Sequence, residues 1–191
     1  LLNEGKQKEA DALASKEFMG NPVRQMAYQA FGDLFIDFPG HESYTDYKRE
    51  LDLKDGITRV SYRSGGAVFS REVFASAPAQ AVFVKLSSDK TGLLHFDLSM
   101  NSIHVHKKIT GNETELTLNV RVDKGALEGV AKVKVITDGK IKQVNGKISV
   151  ENATAATLVL SAATNYIDYK TITGKPAEIT AAILKKAPAY E

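Results

Sequence analysis

The chain has 191 residues, 43% hydrophobic and 25% charged, with 25 Lys and Arg against 23 Asp and Glu, a net of +2, and no cysteine. A chain of this size buries roughly 70% of the surface its unfolded form exposes, so one domain, with or without a small appendage, can build a core without staples. The composition excludes a disordered or fibrous chain, the charge supplies no field for nucleic acid or an anionic membrane, and the lack of cysteine excludes disulfides and thiolate chemistry while leaving the compartment open.

Leu1 and Leu2 open directly into helix-favouring sequence with no Ser, Thr or Asp cap ahead of them, as if the chain began inside an element. Neither a signal-peptide pattern nor an apolar run approaching the roughly 20 residues of a membrane span is present; the longest, Ala153 to Ala163, is broken by Thr154, Thr157 and Ser161. From Leu2 to Phe18 the apolar Leu2, Ala10, Leu13, Ala14 and Phe18 recur at helical spacing, and Gly20, Asn21 and Pro22 end the helix. The period then becomes two: Leu34, Ile36 and Phe38 alternate with Asp33, Phe35 and Asp37, the pattern of a half-buried strand.

Strands predominate beyond this point. Tyr47 to Leu53, Ile57 to Arg63 and Val68 to Phe74 are separated by Asp55-Gly56 and Gly65-Gly66, which predicts a three-stranded meander. Val82 to Leu86, Leu93 to Leu98, Glu115 to Val122, Val130 to Thr137, Lys147 to Val150 and Ala156 to Leu160 continue the series, with turns at Asp138-Gly139 and Asn145-Gly146. Short strands at this interval favour a mainly β fold, a β-sandwich of two packed antiparallel sheets, over a parallel α/β sheet. A short helix from Pro176 to the stop at Pro188 closes the chain. The expected organisation is a helix over residues 1–20, a sandwich over 21–170 and a linker helix over 171–191.

Four blocks carry a more specific signal: RQMAYQAFGDLFIDF (Arg24 to Phe38), YKRELDL (Tyr47 to Leu53), REVFAS (Arg71 to Ser76) and AATNY (Ala162 to Tyr166). In this order they resemble the N-terminal β-domain of bacterial inverting α-L-fucosidases, glycoside hydrolase family ninety-five, and Leu1 to Met19 is similar to the helical stretch that precedes the strands there. The resemblance implies a fragment of a larger, periplasmic or secreted enzyme. Its catalytic groups would lie on a following (α/α) barrel, and the reaction would be metal-free, cofactor-free release of terminal α-L-fucose with inversion. The implied partners are that barrel in the same polypeptide and, through it, a fucosylated oligosaccharide. Arg24, Gln25, Tyr28 and Gln29 lie in an irregular segment before the first strand and are expected to dock the domain on the barrel, or else to form a self-contained turn network.

Within the chain itself, inverting hydrolysis needs two carboxyl groups roughly 6.5 to 9.5 Å apart. Asp33 with Asp37, or Glu50 with Asp52, can be offered, but residues two apart on any strand face stand about 6.6 Å apart, so the match carries little and a solvated face is favoured. His104 and His106 share a side of an extended segment as two metal ligands do, yet no spacing points His41 or His95 to a third place, and exposed imidazoles are favoured over a metal site. No catalytic, cofactor-binding or metal-ligating residue is therefore assigned. The seven tyrosines are read mainly as half-buried core groups rather than a sugar platform, and tryptophan is absent. A free-standing secreted β-sandwich module binding glycan or protein is the alternative to an enzyme domain.

Overall fold

The computed structural model describes residues 1–20 and 28–186. Two compact units emerge, Leu1–Ala30 and the chain from Phe31 onward. In the first, a 3₁₀ turn over Leu2–Glu4 ends at Gly5, whose φ of 70° is left-handed, and α1 follows over Gln7–Glu17. One continuous helix from Leu2 was expected. Gly5 interrupts it, because a residue without Cβ adopts the left-handed conformation that closes the first turn. No residue of α1 is buried, and Leu13 and Phe18 on its apolar side are exposed.

Among its described residues the second unit has twelve strands: β1 Asp33–Asp37, β2 Thr45–Asp52, β3 Ile57–Ser64, β4 Ala67–Ser76, β5 Ala81–Ser88, β6 Leu94–Asn101, β7 His106–Gly111, β8 Glu115–Arg121, β9 Glu128–Thr137, β10 Lys140–Val144, β11 Lys147–Ala153 and β12 Ala155–Thr164. They form a four-stranded sheet, β1-β6-β11-β10, and an eight-stranded sheet, β2-β3-β4-β5-β12-β9-β8-β7, and every pairing within them is antiparallel. The expected sandwich of two packed antiparallel sheets is the observed architecture. The meander is present as β2-β3-β4, with Gly65 and Gly66 at φ 54° and 77° supplying the tight two-residue turn.

Alternation sorts the side chains by face. Leu94, Phe96, Leu98 and Met100 on β6 and Ile148 and Val150 on β11 face Leu86, Leu116, Leu118, Val133, Val135 and Leu158 of the larger sheet, which together form the main core. The outer face of the larger sheet carries a second, smaller core. There α2, Pro176–Lys186, packs on β9 and β12 and drives Leu184 in among Ala81, Phe83 and Val159. Pro176 opens that helix, as its fixed φ suits a first-turn position.

The Asp138-Gly139 turn, which reads in sequence like a hairpin, is a corner: β9 belongs to the large sheet and β10 to the small one. The chain crosses back only a residue apart, between β11 and β12, and the Asp138 carboxylate ties the two crossings by accepting the Thr154 and Ala155 N–H groups at 2.9 and 3.0 Å. A Cβ on Gly139 would lie 2.7 Å from both Ala153 Cβ and the Glu151 carbonyl oxygen, so the corner closes only around glycine.

Candidate functional site

The carboxylates offered for catalysis each have structural surroundings. Glu50 sits on the outer face of edge strand β2 and pairs with Lys48 at 2.8 Å, with both side chains exposed. Asp52 ends the same strand, where Oδ1 accepts the Lys54 and Asp55 N–H groups at 3.0 and 3.2 Å and Oδ2 meets Arg59 at 3.3 Å. Those bonds, that from Asp55 foremost, hold its pKa below the ordinary aspartate value, the reverse of what a general acid requires. Asp33 and Asp37 alternate with the half-buried Leu34 and Ile36 and lie on the exposed face of the small sheet opposite Asn101 and Asp97. Asp97 in turn accepts the Ser149 hydroxyl at 2.6 Å.

The histidines are dispersed. His104 lies in the connection before β7 and His106 opens that strand, 3.3 Å from Asp123, so the pair does not share a strand face as expected. His95 accepts the Asn152 N–H at the β11 bulge. Among the described residues no group of three His, Asp or Glu is placed to hold a metal ion.

One cluster went unforeseen. It forms where the connection after β1 crosses from the small sheet to the β2–β4 end of the large one. Arg71 lies on the inward face of β4, between Phe69 and Val73, and its guanidinium stacks 3.8 Å over the Phe38 ring. Its Nη2 donates to the Tyr62 hydroxyl at 2.8 Å, and the same oxygen lies 2.8 Å from His41 Nδ1. A guanidinium only donates, so the tyrosine oxygen accepts from Arg71 and shares a second hydrogen bond with His41, whose direction follows the imidazole tautomer. Burial, then the charge of Arg71, lowers the His41 pKa below 6.5, against the opposing pull of Glu42. Arg71 Nε is enclosed with no hydrogen-bond partner. A charged residue at an inward position of an otherwise alternating strand was the available signal.

Of the docking residues, Arg24 and Gln25 lie outside the described residues, while Tyr28 is 98% exposed and Gln29 half-buried. The tyrosines depart from the core reading: Tyr62 is buried, but Tyr44, Tyr47, Tyr166 and Tyr169 are exposed. Tyr190 lies outside the described residues. Within the AATNY block Asn165 is a clamp. Its side chain accepts the Glu128 N–H and donates to the Ala126 carbonyl, both at 2.9 Å, while its own carbonyl accepts the Gly174 N–H at 2.9 Å, which folds the segment leading to α2 back on itself.

The curated relatives that the chain matches are named as fucosidases. The chain is 32% identical over 194 aligned residues to alpha-L-fucosidase 2 of Arabidopsis thaliana, an alignment that covers 87% of this chain and 23% of that protein. It is 34% identical over 65 residues to the probable alpha-fucosidase A of Aspergillus oryzae, covering 34% of this chain and 9% of that one. The chain thus spans about a quarter or less of the curated relatives it matches. Among solved structures it is similar to a putative kojibiose phosphorylase from the human microbiome, with a TM-score of 0.48 and 12% identity over 80% of this chain and 24% of that one. The family model described as glycosyl hydrolase family 65, N-terminal domain, matches residues 1–169, and the chain belongs to that family of glycoside hydrolase N-terminal domains.

Proposed function

We propose that this chain is the non-catalytic N-terminal β-sandwich domain of an inverting α-L-fucosidase of the bacterial family ninety-five type. The 32% identity to alpha-L-fucosidase 2, spread over 87% of this chain yet only 23% of that protein, carries the reading. The local chemistry supports it: the carboxylates available for an acid–base pair are exposed or committed to turns and ion pairs. In this account the hydrolysis of terminal α-L-fucosyl linkages is performed by a following (α/α) barrel, without metal or cofactor. The sandwich braces that barrel through Arg24, Gln25, Tyr28 and Gln29, and the whole enzyme works in the periplasm or outside the cell.

The test is L-fucose release from an α-1,2-fucosylated oligosaccharide by the purified 191-residue chain beside the full-length product of its gene. Release by the full-length protein alone is expected. Release by the short chain, abolished by Glu50→Gln or Asp52→Asn, would overturn the assignment.

A further inference from the structure

The two sheets differ in width, and the small one leaves part of the large sheet's inward face open. Among the described residues of this unit, the β2–β4 end forms a ledge at its β2 edge, where Arg49 and Leu51 stay exposed, while the connection that carries Phe38 and His41 packs over Tyr62 and Phe69. Pairing register lays out three rows across this ledge. Arg49, Val60 and Arg71 form the middle row; Leu51, Thr58 and Val73 lie on one side, and Tyr47 projects beside Tyr62 and Phe69 on the other. Tyr44 joins Tyr47, ring centroids 5.8 Å apart, and stands edge-on to Tyr62 at 6.1 Å. Tyr44 and Tyr47 are 56% and 54% exposed, and Leu51 is 61% exposed, although an inward strand face normally buries such groups.

The charge on this ledge is unbalanced. Among the described residues no carboxylate stands within ion-pair distance of Arg49 or Arg71, whereas Arg59 and Arg63 on the opposite face of β3 pair with Asp52, Glu72 and Asp46. Glu42, on the roofing connection, instead accepts the Gly40 N–H. Arg71 is held in place by Phe38 and Tyr62, so it is preorganised at no further entropic cost. Two strand spacings, about 10 Å, separate the Arg49 and Arg71 backbones, a span that the exposed Arg49 side chain can cross towards an anion seated on the fixed Arg71 guanidinium.

We propose that this ledge binds an acidic oligosaccharide, with the carboxylate of a uronic-acid-type residue held between Arg49 and Arg71 and an adjoining pyranose ring stacked on Tyr47 with the inclined Tyr44 ring beside it. The carboxylate supplies the missing counter-charge, and the two exposed rings, inclined at 52° to each other, supply an apolar corner one sugar wide. A standard protein interface covers about 800 Å² on each partner, far more than these few side chains offer. The inference extends the accessory role by giving the domain a ligand of its own, and it is read in binding by this chain alone, so it can fail while that role stands.

Titration calorimetry of the 191-residue chain with tri-α-D-galacturonate, maltotriose and acetate tests it. Saturable binding of the acidic trisaccharide is expected, weakened by salt and reduced about tenfold or more by Arg49→Ala and by Tyr47→Ala with melting temperature unchanged. Both side chains are exposed, so neither change unfolds the protein. Equal affinity for maltotriose, equal affinity for acetate, indifference to either substitution, or no binding at millimolar concentration would each overturn the proposal.

Discussion

The Tyr62 hydroxyl accepts a hydrogen bond from Arg71 and shares a second with His41, so three side chains from separate segments meet at one oxygen. The folded state lowers the His41 pKa below the ordinary 6.5, chiefly through burial and then Arg71. Between that folded value and 6.5 the unfolded chain binds more protons, so stability falls as pH drops through the window and levels off beneath it. Thermal melts across this range are expected to show the loss in the native protein and a flatter profile in His41→Phe, which keeps an aromatic against Phe38 and Phe69. Parallel profiles would remove His41 as the cause. None of this network was legible in spacing, because His41, Tyr62 and Arg71 come from a connection and two strands. The REVFAS block was noticed as a family signature, yet the chemistry of its arginine emerged only when the register placed it beneath Phe38.

At the scale of elements, period-two patterning located most strands, and Gly65-Gly66 and Asn145-Gly146 marked hairpins that exist. Asp138-Gly139 has the same turn chemistry, but its flanking strands enter different sheets, a fact that lives in long-range pairing rather than in the dipeptide. β7 was missed because HKKITG, on a sheet edge, offers Ile109 as its one apolar side chain. The corner makes its own prediction. Backbone N–H bonds from Ala155 and Thr154 hold the Asp138 pKa below 3.8, so its stabilisation is present above that value and is lost as pH falls through the lower folded value. Asp138→Ala should lower stability by on the order of 1 kcal/mol near neutrality, with the deficit narrowing at strongly acid pH. Denaturant unfolding at both pH values checks it; a deficit that ignores pH would point to packing instead.

For the whole molecule, the sandwich and its terminal helices were readable from composition and alternation. The unequal widths of the sheets were not, since nothing local states that four strands will cover only part of eight. That inequality exposes Tyr44 and Tyr47, which a sequence reading assigns to the core. The kinship with glycoside hydrolase N-terminal domains was legible in blocks spread across the chain rather than in a catalytic motif.

The most direct test of a bracing, non-catalytic role is removal of residues 1–191 from the full-length gene product, followed by melting temperature and fucose release. The account predicts a lower melting temperature and lost or sharply reduced release, with a milder version of the same loss in Arg24→Ala/Tyr28→Ala. A truncated protein that melts and hydrolyses like the full-length one would contradict it.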